Sequence, residues 1–266
     1  DERIGRLQED HVNQDARIVA ADLGASGAKV FAGEFRDGAF ALREIHRFSH
    51  EAVTFHVPDR DGRLEERAFW DDVLLYVNIV QGLKAYRREV GQELDSIGID
   101  TWGTDGVFVD GNGVPLGRVY AYRDHRLDRM CDEVKARIDA ARIYELTGIH
   151  FWPFNVSNQL LWWAEHRPSL LKKGVRFLPV STLFTWYLGG RIAVDSTWAS
   201  VTQLMDCRKR RWSREILAAL GVPMRVMPEI VAPGELVGRL SRPLAESTGL
   251  PEAKLIAVAA HDTASA

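Results

Sequence analysis

Between Arg17 and Phe48, three strand-forming runs are joined by turns too short to allow anything but antiparallel neighbours. Arg17 to Asp22 reads as a buried strand and Lys29 to Phe35 as a second. Gly24-Ala25-Ser26-Gly27 makes the turn between them, and Arg36-Asp37-Gly38 turns the chain into a third strand, Phe40 to Phe48. Small and flexible residues at these two points suit tight hairpin geometry. A chain that begins its fold with such a meander must cover at least one of its faces, so the later segments are constrained to pack on it.

The next hundred residues and more supply that cover. Phe69, Val73, Val77, Val80 and Leu83 recur at helical spacing and predict a helix from about Glu66 to Tyr86. Ser96 to Asp100 is a short buried strand, and a further strand is expected over Val107 to Asp110 before the turn Gly111-Asn112-Gly113. The stretch 125–220 reads mainly as helices, broken by Pro153, Pro168, Pro179 and Gly189-Gly190. Residues 221–251 carry five prolines and read as loop. Leu255 to Ala260 is an apolar strand, after which His261-Asp262-Thr263 opens a helix. The expectation is an α/β protein with a ribonuclease-H-like layer: a mixed five-stranded sheet flanked by helices, with helical insertions. Residues 1–16 are expected to be a polar leader, and 17–266 one domain. The sequence lacks an initiating Met and stops as its last helix opens, which suggests a piece of a longer protein.

Composition removes several classes of function. Net charge is −3 over 266 residues, with both signs interspersed, so no nucleic-acid partner is implied. No apolar run approaches the ~20 residues of a membrane span, and the charged first fifteen residues carry no signal-peptide pattern. Cys131 and Cys207 are far apart and form no metal or redox spacing, as expected of reduced cytoplasmic thiols. The basic run Arg208-Lys209-Arg210-Arg211 is expected to be a solvated turn before a helix that starts at Ser213.

Four clusters carry chemistry. In Asp22-Leu23-Gly24-Ala25-Ser26-Gly27-Ala28-Lys29, small residues between two strands let backbone N–H groups approach a phosphate, and Asp22 is placed to hold Mg²⁺ through water. The spacing is neither that of a Walker A loop nor that of a dinucleotide fingerprint, and an unliganded hairpin is the competing reading. In Asp100-Thr101-Trp102-Gly103-Thr104-Asp105, carboxylates and an indole suit a sugar's hydroxyls and apolar face; a capped turn with Trp102 in the core is the alternative. Ala121-Tyr122-Arg123-Asp124-His125-Arg126 is either a hydroxyl-binding cluster or a helix cap. Phe151-Trp152-Pro153-Phe154-Asn155 is either a pocket wall or core packing. A carboxylate at a strand-to-helix turn, such as Asp262, is displayed in the crevice where α/β proteins bind ligands.

In order along the chain, these pieces resemble the FGGY carbohydrate kinases, and within that family its rhamnulose-phosphorylating members. The resemblance is carried by Asp22-Leu23-Gly24-Ala25-Ser26, Arg43-Glu44-Ile45-His46-Arg47-Phe48, Ile97-Gly98-Ile99-Asp100-Thr101-Trp102-Gly103, Ala121-Tyr122-Arg123-Asp124, Pro153-Phe154-Asn155, Thr202-Gln203-Leu204 and His261-Asp262-Thr263-Ala264-Ser265-Ala266. It implies an actin-like ATPase fold, of which this chain is the N-terminal, sugar-binding lobe, with the C-terminal nucleotide lobe absent. It implies MgATP-dependent phosphorylation of a ketose, L-rhamnulose at O1, in the cytoplasm, by a monomer or weak dimer. Asp262 is then the proton acceptor. Gly103, His261, Asp262 and Thr263 are sugar contacts, joined by Trp102 and Asp105. Ala25, Ser26, Gly27, Ala28 and Lys29 form the phosphate hairpin, and Asp22 serves Mg²⁺. The family loop usually ends Ser-Gly-Arg where this chain has Gly27-Ala28-Lys29, which replaces a guanidinium fork by a point charge. Alone, this lobe is expected to bind sugar weakly and turn over little or nothing. The rival expectations are a kinase for another deoxyketose such as L-fuculose, and a non-catalytic actin-like or sugar-sensing module.

Overall fold

The computed structural model describes residues 15–59 and 61–265; the expected polar leader therefore lies outside the described residues, apart from its last two positions. In chain order the elements begin with β1 (Ala16–Leu23), β2 (Gly27–Arg36), β3 (Ala39–Ser49), β4 (Val53–Pro58), β5 (Leu64–Phe69), α1 (Asp72–Glu89), β6 (Ser96–Thr101) and β7 (Gly106–Val109). The helical middle comprises α2 (Met130–Arg137), α3 (Ala140–Thr147), α4 (Val156–His166), β8 (Arg176–Pro179), α5 (Val180–Leu188), β9 (Ala193–Asp195) and α6 (Ser196–Ser200). The last part holds β10 (Met205–Asp206), β11 (Arg211–Trp212), α7 (Arg214–Ala219), β12 (Glu229–Val231), β13 (Leu236–Arg239), α8 (Arg242–Thr248), β14 (Lys254–Ile256) and α9 (Asp262–Ser265).

The meander forms as its sequence dictates. β1 and β2 pair antiparallel from Ala16↔Phe35 to Leu23↔Ala28, and β3 adds on the far side of β2. Val19, Ala21 and Leu23 alternate into the core, as do Ala28, Val30 and Ala32. On the other side of β1, β6 runs parallel, with Asp22 opposite Asp100 and Leu23 opposite Thr101. β14 runs parallel to β6 in turn, and β13 closes the edge, giving the order β13-β14-β6-β1-β2-β3.

The main sheet thus has six strands where five were expected. The additional one, β13, has only four residues in a proline-rich stretch and is recruited by pairing with β14 rather than announced by its own pattern. The strand expected over Leu255 to Ala260 begins at Lys254 and ends at Ile256; the chain then crosses the end of β6, where the Thr101 N–H donates to Ala260 and Thr101 bridges His261. β7 lies outside the main sheet, paired with β8. No described helix is long and apolar enough to cross a membrane.

The helix expected from Glu66 starts later. Residues 64–69 instead pair with β4 as a hairpin, and Asp71 begins α1 by accepting the Leu74 N–H at 2.9 Å. Its inward face is also rotated from the expected one. Leu75, Ile79, Gly82, Leu83 and Tyr86 are buried, whereas Val73 and Val77 face outward. The rotation comes from close docking on β2: a Cβ at Gly82 would stand 2.7–2.9 Å from the Val30 side chain. An alanine there gains about 1 kcal/mol of helix propensity but overpacks the interface by about 1–3 kcal/mol. We expect Gly82→Ala to lower the unfolding free energy by up to about 2 kcal/mol in denaturant melts, the overpacking cost less the propensity gain; increased stability would show that α1 is free to shift on the sheet.

Candidate functional site

Parallel pairing brings three carboxylates to one edge of the sheet. Asp22 and Asp100 are register partners at the ends of β1 and β6, and Asp262 comes after the crossing of β6. Burial pushes the Asp100 carboxyl up to about 7, and the negative charges of Asp22 and Asp262 push the same way. The family resemblance assigns Asp100 no role of its own, and the sequence offered it only as a hydroxyl acceptor; its place beside Asp22 comes from parallel register, which spacing along the chain does not reveal. Asp262 itself is partly exposed. Its Oδ1 accepts the Thr263 N–H at 2.6 Å and lies 3.3 Å from His261 Nε2.

Carboxylate oxygens are the donor type that Mg²⁺ takes, but among the described residues no group of three or more His, Cys, Asp or Glu is arranged to hold a metal ion.

The expected phosphate hairpin is divided by the fold. Gly24, Ala25 and Ser26 form the free connection, whereas Gly27, Ala28 and Lys29 are paired in β2 between its neighbours, and Ala28 is buried. Backbone able to approach a ligand is therefore concentrated at residues 24–26, a narrower stretch than the expected Ala25 to Lys29. Buried His50 holds this turn from beneath by donating from Nε2 to the Gly24 carbonyl at 2.7 Å.

A cleft of about 480 Å³ joins the turn to the acidic edge. It is lined by Ala25 on one side, by Gly103, His261 and Asp262 on another, and by Trp102, Tyr122, Trp152 and Phe154. Trp152 and Phe154 are 52% and 38% exposed, and their rings lie parallel at 5.9 Å. Of the two readings open for Phe151–Asn155, the pocket wall is the one the structure adopts. Asn155 holds the loop in shape, accepting the Trp152 N–H and donating to the His150 carbonyl. A larger residue at Gly103 would have to displace the His261 ring, which a Cβ there would strike. Thr263 is not among the cleft-lining residues. A second cleft, near 500 Å³, surrounds Arg142 and Trp212; it contains none of the motif residues, and its Arg142 and Lys209 are paired with Glu145, Glu215 and Asp206.

Asp105 does not contact the cleft, contrary to the sequence expectation. It is fully buried with a left-handed backbone (φ 73°). Its Oδ2 accepts from Trp70 Nε1 at 2.7 Å, Trp102 Nε1 at 3.1 Å and the Tyr122 N–H at 3.1 Å, while Oδ1 accepts from Gln159 Nε2 at 2.9 Å. Burial pushes its carboxyl up to about 6 against the pull of Trp70, Arg126, Gln159 and Trp102, leaving it ionised at neutral pH. Asp124 is likewise structural: buried, it accepts from the Ala68 and Arg126 N–H groups and pairs with the Arg126 guanidinium at 3.4 Å. His125 is exposed.

Residues 18–266 match the model of the FGGY family of carbohydrate kinases, N-terminal domain. The chain belongs to the FGGY family of carbohydrate kinases. Among curated relatives, the rhamnulokinase of Pectobacterium atrosepticum is 39% identical over 251 residues, covering 94% of this chain and 48% of the relative. That of Bacillus subtilis is 34% identical over 248 residues, covering 93% and 48%. The chain spans about half the length of the curated relatives it matches. Solved structures share the fold: a ligand-bound xylulose kinase from Lactobacillus acidophilus (TM-score 0.76, 16% identity, 93% of this chain and 48% of that one) and Plasmodium falciparum glycerol kinase with ADP (TM-score 0.74, 19% identity, 91% and 48%). The expected actin-like FGGY fold is thus the observed one.

Asp105→Asn places an NH₂ group among hydrogen-bond donors and leaves at least one of them unpaired. We expect a stability loss of about 2–4 kcal/mol, read as a lower thermal midpoint, with altered Trp fluorescence from Trp70 and Trp102. A variant with wild-type stability and fluorescence would contradict the role assigned to this carboxylate.

Proposed function

We propose that this chain is the sugar-binding lobe of a two-lobed, ATP-dependent cytoplasmic kinase that phosphorylates a ketose, L-rhamnulose at O1. One observation carries the reading: a single cleft is lined both by Asp262 and by Ala25 of the phosphate turn. A hydroxyl held against Asp262 would thereby face the place where a phosphate would rest. The names of the curated relatives support the choice of ketose.

Phosphoryl transfer asks a protein mainly for positioning and charge neutralisation. Trp152 and Phe154 would offer a flat apolar wall to the carbon skeleton, with Gly103 and His261 closing on the sugar near its reacting end. Asp262 would take the O1 proton as the O1–phosphorus bond forms and the bond from phosphorus to the ADP oxygen breaks. Hydrogen bonding from Thr263 would keep Asp262 oriented. The backbone of Gly24–Ser26 would steady the phosphates. Mg²⁺, held through water by Asp22 and Asp100, would neutralise phosphate charge when bound. Closure of the second lobe would exclude water as a competing nucleophile.

In the two-lobed protein, Asp262→Asn is expected to lower kcat with L-rhamnulose by about 10²-fold or more, the usual scale for a lost general base. A loss below tenfold would argue against the role. Trp152→Ala is expected to raise the sugar KM by about three- to tenfold at nearly constant kcat, as befits a lost ring contact; an unchanged KM would remove the aromatic wall from the sugar site. Turnover of L-fuculose in preference to L-rhamnulose, in a panel of ketoses, would replace the proposed substrate.

A further inference from the structure

His50 occupies a position that neither the sugar contacts nor the phosphate turn explains by itself. It comes directly after β3, whose last residue, Ser49, pairs with Gly27, so His50 leaves the ladder beside the phosphate turn. The side chain folds inward, and the residue is only 8% exposed. Its Nε2 lies 2.7 Å from the Gly24 carbonyl oxygen. A carbonyl can only accept, so the hydrogen must reside on Nε2, which fixes the tautomer of the neutral ring. Burial lowers the affinity of this ring for a second proton.

The same ring packs against the floor of the cleft. Its centroid is 6.0 Å from that of Trp102 and 5.6 Å, edge-on, from that of Trp70. Both indoles donate to Asp105. Trp102 in turn lines the cleft, and its backbone N–H donates to the Leu23 carbonyl, one residue before the turn. The turn itself has little slack, since a Cβ at Gly24 would stand 3.1 Å from the Gly27 carbonyl oxygen. Gly24 is therefore tied from below to a ring that rests on the indole forming the sugar floor. A movement of Trp102 when a sugar binds has a direct route to the backbone that would meet a phosphate.

We infer that His50 is a positioning residue that couples occupation of the sugar cleft to the placement of the Gly24–Ser26 turn. The inference rests on the function proposed above and extends it: sugar and nucleotide sites are linked through one buried donor. A buried histidine kept only for packing would be replaceable by phenylalanine; one kept for this link would not.

The test uses the two-lobed protein. His50→Phe preserves the ring and removes the donor, whereas His50→Gln replaces the ring with a side-chain amide that can still donate. In the phenylalanine variant we expect the ATP KM to rise about three- to tenfold, the span of one neutral hydrogen bond, with the sugar KM within about twofold of wild type. The dependence of the ATP KM on sugar concentration should disappear, and the glutamine variant should restore both. An unchanged ATP KM in an active phenylalanine variant overturns the coupling alone. So does a parallel rise in both KM values with lowered stability that glutamine fails to rescue, since that marks general disruption of the lobe rather than loss of the link. If the phenylalanine variant does not fold, the wild-type protein decides: the His50 Nε2–H resonance should shift on saturation with the ketose, and a resonance that stays fixed overturns the coupling. A wild-type protein that phosphorylates no ketose overturns the proposed function and the coupling together.

Discussion

One ionised carboxylate with no access to solvent, Asp105, organises the centre of the molecule. It collects donors from four separated stretches: Trp70 before α1, Trp102 after β6, the backbone of Tyr122, and Gln159 on α4. A buried charge is tolerable only when its lone pairs are filled, and here the filling groups come from both the sheet and the helical insertion. Satisfying Asp105 therefore fixes how the insertion sits on the sheet. Gln159 extends the arrangement, because its carbonyl oxygen accepts from buried Arg126, which pairs with Asp124 and lies over the Tyr120 ring at 4.2 Å. Fold and site meet at this network: Trp102 and Tyr122 have one side held by Asp105 and another facing the cleft.

The other constraint is register. β6 lies between β1 and β14 and runs parallel to both, so three strand ends open on the same edge of the sheet. Open α/β sheets place ligands outside these ends, and here they carry Asp22, Asp100 and the approach to Asp262. The chain after β14 comes close over β6 because two glycines let it. A Cβ at Gly98 would strike Val258, and one at Gly103 would strike His261. The proximity of Asp262 to the β6 end thus depends on residues that contribute no functional group at all.

Sequence patterns revealed what local physics controls. The three-strand meander was legible because alternation and tight turns act within a few residues, and the placement of Asp262 at the cleft because an apolar run followed by a helix start puts its first polar residues at a strand end. What needed distant partners was not legible. The inward face of α1 is set by contact between Gly82 and Val30, and β13 exists because β14 is there to pair with it. Asp105 looked like a sugar ligand because carboxylates cluster with an indole at one strand end; in the structure its backbone is left-handed and its side chain is turned to buried donors. Trp152 and Phe154 carried the opposite ambiguity, since aromatics beside a proline read equally as core, and it is the Asn155 clasp on the loop that keeps them at the cleft.

The cleft is strongly asymmetric, and the asymmetry has a chemical consequence. Its lining joins an aromatic wall that can hold a sugar without competing for charge to one carboxylate, Asp262; Asp22 and Asp100 stand at the strand ends and are not among the lining residues, so the three carboxylates form an edge beside the cleft. A polyphosphate approaching that edge meets repulsion that grows with every ionised group, so the arrangement works against phosphate binding unless the charge is relieved. Asp100 relieves part of it, because burial and its acidic neighbours push its carboxyl up to about 7, towards the neutral form. Asp262 is partly exposed and accepts a hydrogen bond from the Thr263 N–H. The nearby backbone of Gly24–Ser26 offers donors without adding further negative charge.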